Sequence, residues 1–124
     1  MKPEEYFSSE YLKARTRFVN AVKQNGGSLS QLKFKAEEAC SELFTDIAWF
    51  GNKNPCSALL LVSGIHGVEG FAGSAVQLAA LNNLPILDDD TALVMIHALN
   101  PYGMAYLRRF NGNNVDLNRN FHFS

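Results

Sequence analysis

Hydrophobic and polar positions divide the chain into a short amino-terminal region with helical spacing and a longer region with strand patterns. From Pro3 to about Gln24, apolar residues recur near helical spacing and charged residues fill the opposite side. The sequence Asn25-Gly26-Gly27 follows directly, and glycine after the last turn is a common stop signal. The pattern therefore predicts one helix that ends before residue 28.

Four later segments have the composition of strands. Residues 29–34 tend to alternate and residues 44–50 are rich in β-branched and aromatic side chains. Residues 58–62 form a continuous apolar run and residues 92–98 are apolar except for His97, and both patterns are typical of buried strands. Between these two runs, residues 71–81 place small and apolar side chains at helical spacing.

A strand, a helix and a strand in this order favour a right-handed crossover between parallel strands. We therefore expect an α/β fold with three layers, α/β/α, around a mixed and largely parallel sheet. With 124 residues, the chain has the length of a single domain. We expect its amino-terminal helix in residues 1–27 and the sheet with the functional motifs in residues 28–124.

Composition excludes several classes of partner. Eleven basic and twelve acidic residues give a net charge of -1 without a basic block, so we expect no nucleic-acid binding. No apolar segment is long enough for a bilayer span or a secretory signal, so we expect a cytoplasmic protein with no membrane partner. Cys40 and Cys56 are predicted to be reduced structural thiols, and a disulfide between them is left open.

A histidine and a glutamate stand at the end of one predicted strand, in the sequence SGIHGVEGFAG of residues 63–73. In an α/β sheet, ligands bind outside the carboxyl ends of the strands. His66 and Glu69 therefore predict a metal site, with Asn100-Pro101 at the same edge of the sheet. Alone the pair is weak evidence, because three histidines and twelve acidic residues give about 0.3 such pairs by chance. Taken alone, the pair is better explained by a hydrogen-bonded turn histidine and a glutamate at a helix start.

A second polar cluster follows the next predicted strand, in the sequence ALNPYGMAYLRRFNGNNVDLNRNF of residues 98–121. Together with His66-x-x-Glu69, its Asn-Pro-x-Gly turn and its segment Val115 to Asn120 resemble the zinc carboxypeptidase family in order and rough separation. The form GIHGVEGFAGSA is most similar to an uncharacterised bacterial branch of this family, near succinylglutamate desuccinylase and aspartoacylase. The resemblance covers roughly residues 29–121, the amino-terminal half of such a domain.

The resemblance implies a role for each matching residue. His66 and Glu69 would be two of three ligands of one zinc ion, and Asp116 would fix the histidine tautomer from the second nitrogen. Arg109 matches the arginine that stabilises the oxyanion. Asn118 and Arg119 match the pair that binds the terminal carboxylate of a substrate, and Arg108 could share either task.

The remaining candidates have a simpler interpretation. His97 lies within a predicted strand and is expected to be a hydrogen-bonded core or rim residue. His122 follows the matching segment at a position where the family has no ligand. The acidic run Asp88 to Asp90 is expected to be a solvated loop, because consecutive side chains point apart.

The chain departs from the family in length, because the third zinc ligand and the glutamate base of the family lie beyond Ser124. The resemblance implies a zinc-dependent hydrolase of amide bonds, acting on a small or peptidic substrate with a free carboxylate. Two alternatives stay open: an N-acyl amino acid deacylase, and a non-catalytic metal-binding or interaction module. We also expect a sheet edge left open by the missing half to favour self-association.

Overall fold

The computed structural model describes residues 1–34 and 42–122. Within these residues, the four predicted strands and the predicted helix between the last two are confirmed. Two short 3-10 helices, Pro3–Tyr6 and Leu117–Arg119, lie near the ends of the chain. The α-helices and strands are, in chain order, α1 (Tyr11–Gln24), β1 (Ser28–Phe34), β2 (Leu43–Gly51), β3 (Ser57–Val62), α2 (Gly70–Asn82), β4 (Thr91–His97) and α3 (Pro101–Ala105).

The amino-terminal helix is not continuous from Pro3 to Gln24, as the spacing predicted. A 3-10 helix ends at Tyr6, and α1 begins only at Tyr11. Arg17 explains the interruption, because its guanidinium donates hydrogen bonds to the carbonyl oxygens of Tyr6 and Phe7 at 3.1 and 2.9 Å. These carbonyls are thereby satisfied by a side chain of α1 and do not need a continuing helix.

The sheet is mixed, with the strand order β1-β2-β4-β3, and the predicted α/β class is confirmed. As expected from the crossover, β3 and β4 are parallel. The parallel share is smaller than expected, since β1 with β2 and β2 with β4 are antiparallel. The short connection between β1 and β2, residues 35–42, accounts for their antiparallel pairing. A parallel connection needs about a dozen residues or more.

The core lies on one face of the sheet, under α1 and α2. Its side chains come from both helices and from the inward positions of β2 and β4, including Phe18, Val22, Leu81, Leu93 and Met95. The register places Leu60, Val62, Val94 and Ile96 on the opposite face. Among the described residues no helix covers that face. This part of the chain therefore has two layers, one of helices and one sheet, and not the three layers that were expected.

The prediction that β3 is buried is wrong. Five of its six positions are exposed, and Leu59 and Leu60 keep 57% and 55% of their surface accessible. The reason is its place in the sheet, because among the described strands β3 lies at the edge and pairs with β4 alone. An apolar run therefore identified the strand and could not distinguish an edge from a centre.

Other expectations concern residues outside the sheet. Cys56 is an exposed free thiol, and Cys40 lies outside the described residues, so the possible disulfide stays untested. Asp88, Asp89 and Asp90 are exposed, as expected. In residues 1–34 and 42–122, no helix is long and apolar enough to cross a membrane.

Candidate functional site

Glycines shape the turn between β3 and α2 that contains His66. Gly64 has a φ of +70°, which glycine adopts without strain. At Gly67 a Cβ atom would lie 2.0 Å from the carbonyl carbon of Gly103. Only glycine permits this approach, and it brings the two predicted clusters into backbone contact.

Backbone hydrogen bonds hold the second cluster against this turn. The amides of Gly67 and Val68 donate to the carbonyl oxygens of Arg109 and Arg108 at 3.3 and 3.1 Å. The amide of Asn100 donates to the Gly64 carbonyl at 2.7 Å. The prediction that the two strand ends meet at one edge of the sheet is therefore confirmed.

His66 and Glu69 lie close enough to share a ligand. The Nδ1 atom of His66 is 3.4 Å from Oε2 of Glu69. His66 is largely shielded, with 13% of its side chain exposed, whereas the Glu69 side chain is 65% exposed at the start of α2. The imidazole is thus shielded by the turn, whereas the carboxylate is open to solvent.

Asp116 connects the predicted site residues. Its Oδ1 lies 3.0 Å from Nε2 of His66 and accepts a hydrogen bond from the Asn118 amide at 3.0 Å. Its Oδ2 accepts hydrogen bonds from Nε of Arg109 at 3.2 Å and from Nη1 of Arg119 at 2.9 Å. One carboxylate therefore orders the imidazole and two guanidinium groups together.

These contacts set the charge state of Asp116. Partial desolvation raises the pKa of this carboxyl, but hydrogen bonds from His66, Arg109 and the Asn118 amide, with the charge of Arg119, outweigh it. The net result is a pKa of about 2. Asp116 is therefore ionised at neutral pH and accepts hydrogen bonds from all its partners.

An open cleft of about 300 Å³ adjoins the end of β3. His66, Glu69 and Asn118 line it together with the backbone around Gly64. Arg108 takes a different direction, because its guanidinium donates to Oδ1 of Asn114 at 3.2 Å. Three of the predicted residues thus face one space, whereas Asp116, Arg108, Arg109 and Arg119 do not line it.

The described residues supply fewer metal donors than a complete zinc site. Residues 1–34 and 42–122 contain no group of three or more histidine, cysteine, aspartate or glutamate side chains that could hold a metal ion. His66 and Glu69 form a two-donor arrangement, and Asp116 is engaged with the second nitrogen of the histidine.

Comparison with protein families gives one match, described as "Protein of unknown function (DUF2817)", over residues 7–123. The chain belongs to the DUF2817 family. A comparison with curated proteins gave no significant match. The family assignment therefore includes the cleft and both polar clusters, and it brings no activity with it.

Solved structures share the fold of this DUF2817 chain. A glutaminyl cyclase from Macrostomum lignano aligns with a TM-score of 0.55 and 17% identity, over 73% of this chain and 32% of the cyclase. A glutaminyl cyclase from Fimbriiglobus ruber aligns with a TM-score of 0.51 and 11% identity, over 68% of this chain and 36% of the cyclase. The chain thus spans about a third of the length of either enzyme. At these identities the similarity shows the fold alone.

The two other histidines of the DUF2817 chain stay outside the site. His97 is fully buried, stacks on Phe18 and contacts Ser74 Oγ through Nε2 at 2.8 Å. Burial lowers the pKa of His97 to about 4, so it is neutral, as expected for a core histidine. His122 is exposed.

The sequence interpretation missed two polar residues beneath the turn. Gln77 on α2 is 2% exposed, and its side chain is bonded to Ser63 and to two strand carbonyls. A signal was present, because Gln77 is the only amide side chain among the apolar and small residues 71–81. A search for charged and metal-binding residues overlooks Gln77, because its side chain is an uncharged amide.

Proposed function

We propose that this chain forms part of a zinc-dependent hydrolase of amide bonds, similar to metallocarboxypeptidases, for a small or peptidic substrate with a free carboxylate. The observation that carries the proposal is the His66 side chain. One of its nitrogens faces Glu69 across 3.4 Å, and the other contacts the ionised Asp116 at 3.0 Å. A metal-binding histidine characteristically uses its two nitrogens in this way.

The donor separation fits one zinc ion. Zinc binds nitrogen and carboxylate oxygen at about 2.0 to 2.2 Å, and a tetrahedral angle of about 109° then separates two donors by about 3.4 Å. His66 Nδ1 and a Glu69 oxygen would hold the ion. When bound, zinc polarises a substrate carbonyl and lowers the pKa of a water molecule toward about 7.

Asp116 prepares the imidazole for this role. An ionised carboxylate accepts a hydrogen bond, so Asp116 favours the imidazole tautomer of His66 that has its proton on Nε2. The lone pair of Nδ1 is then directed toward Glu69. The tautomer that a metal ion needs is thus fixed by residues of this chain.

The arginines supply positive charge beside the cleft. Arg109 and Arg119 share the single carboxylate of Asp116, so their pairing leaves one net positive charge. Guanidinium groups bind carboxylates with two parallel hydrogen bonds, which supports assigning Arg119 and Asn118 to a substrate carboxylate. Arg109 is the proposed donor to the oxyanion, and Arg108 is a less direct candidate because it is bonded to Asn114.

A non-catalytic metal-binding or interaction module is the second candidate. It is favoured by the two-donor arrangement in the described residues. Within the enzyme proposal, peptidase and N-acyl amino acid deacylase share the same clamp for a carboxylate. The proposal also includes that this chain is related to the zinc carboxypeptidase branch near succinylglutamate desuccinylase and aspartoacylase.

Metal analysis and turnover separate these candidates. We expect the purified chain to bind zinc, His66→Ala to abolish the binding, and His122→Ala to leave it unchanged as a matched control. A panel of N-acyl amino acids and peptides with free carboxyl termini then tests hydrolysis, with Arg119→Ala as the diagnostic variant. Zinc without turnover supports the binding module. Absence of His66-dependent zinc contradicts the hydrolase and the metal-binding module, and supports an interaction module without metal.

A further inference from the structure

The buried amide of Gln77 joins three pieces of structure below the cleft. Its Nε2 donates to the carbonyl oxygens of Leu61 and Ile96, each at 3.0 Å. Its Oε1 accepts a hydrogen bond from the Ser63 hydroxyl at 2.9 Å. With 2% of its surface exposed, Gln77 thus ties α2 to β3, to β4 and to the first residue after β3.

The orientation of this amide is fixed by its partners. Two carbonyl oxygens only accept hydrogen bonds, so they require the NH₂ group of Gln77, and both of its hydrogens are used. The remaining amide oxygen then faces the Ser63 hydroxyl, which can donate. No other uncharged side chain of similar length offers two donors and one acceptor in this arrangement.

We infer that Gln77 is a positioning residue for the His66 and Glu69 pair. Ser63 stands three residues before His66, and Glu69 directly precedes α2, the helix that contains Gln77. The amide therefore connects the two segments that supply the two donors. The inference rests on the proposed metal site, because it assigns Gln77 the task of holding that site's geometry.

Two glycines at the start of α2, Gly70 and Gly73, allow the helix to contact the His66 turn closely. At Gly73, four residues before Gln77, a Cβ atom would lie 2.8 Å from the Cβ of Ser63. At Gly70 it would lie 3.1 Å from the Cα of Gly64. The first two turns of α2 consequently rest on the His66 turn with no side chain between them. Removing the Gln77 amide leaves two partly buried carbonyls with fewer donors and a helix that can shift against the turn.

Native-state hydrogen exchange tests the inference without a metal. In Gln77→Leu we expect the amides of Gly67 and Val68 to exchange at least about tenfold faster relative to global unfolding. Leu78→Val is the matched control, because it removes core volume at the next position of α2 and leaves the amide network in place. Ser63→Ala removes only one of the three hydrogen bonds, and we expect a smaller increase at the same amides.

Cobalt binding provides the second measurement. Titration with Co²⁺, followed by its visible absorption, should show about tenfold weaker binding in Gln77→Leu and unchanged binding in Leu78→Val. Equal exchange of Gly67 and Val68 in the two α2 variants, after correction for stability, would overturn the inference. If the wild-type chain binds no Co²⁺, the proposed function fails, while the exchange measurement still decides whether Gln77 positions the turn.

Discussion

Acid should destabilise the fold through His97, a histidine that lies outside the candidate site. Burial lowers the pKa of His97 from 6.5 to about 4, the nearby Asp46 carboxylate raises it, and Arg15 lowers it. In the unfolded chain the same imidazole takes up its proton near pH 6.5. The contribution of neutral His97 is therefore complete above about pH 6.5 and is lost as the pH falls toward 4.

The structure gives the size of this effect. A pKa difference of one corresponds to about 1.4 kcal/mol, so the lowered pKa of His97 corresponds to about 3 kcal/mol in total. Most of this free energy is lost between pH 7.5 and pH 4.5. Carboxylates begin to titrate only at the acid end of that interval, and their contribution is removed by comparison with a variant that lacks His97.

Urea unfolding at several pH values, in the wild type and in His97→Gln, measures the effect. The glutamine cannot titrate, and its amide can still reach the Ser74 hydroxyl. We expect the wild type to lose about 2 to 3 kcal/mol more than the variant between pH 7.5 and pH 4.5. Parallel pH profiles of the two proteins would show that His97 is not held neutral by burial.

Three further perturbations test the site and the sheet edge. Asp116→Asn should weaken metal binding about 10- to 100-fold in a chelator competition assay, because the tautomer of the ligand histidine is no longer fixed; unchanged affinity would refute this role. Gly67→Ala should lower the free energy of unfolding by about 1 to 3 kcal/mol through backbone overlap, whereas Gly112→Ala, with ordinary contacts, should have little effect in the same urea titration. The uncharged edge β3 should cause concentration-dependent self-association, which Leu60→Lys abolishes and Leu32→Lys on the opposite edge does not; sedimentation velocity that shows a monomer at all concentrations would contradict this.

Patterns of apolar residues predict where the helices and strands of this fold lie. They do not predict which other elements surround each strand. The runs at residues 58–62 and 92–98 are both predominantly apolar, yet β4 is central and β3 is an edge. Neighbours in a sheet come from distant parts of the chain, and local spacing contains no information about them. The division of α1 from the first 3-10 helix likewise depends on Arg17, whose partners lie nine to twelve residues away.

In the candidate site, too, some contacts can be predicted from the sequence and others cannot. The meeting of the two polar clusters follows from parallel strand ends, and the spacing of His66 and Glu69 on one turn predicts their proximity. Sequence does not reveal that Arg109 and Arg119 share the carboxylate of Asp116, or that Arg108 turns to another partner. Those contacts depend on the path of an irregular segment, which has no periodicity to interpret.

The most direct test of the account is ¹⁵N NMR of the His66 ring during a zinc titration. The account predicts that Nε2 is protonated before and after zinc is added, because Asp116 accepts its hydrogen bond. Zinc should change the resonance of Nδ1, and Glu69→Gln should require a higher zinc concentration for the same change. Coordination through Nε2, or an imidazole that does not respond to zinc, would contradict the central claim that Nδ1 of His66 and the Glu69 carboxylate bind one cation.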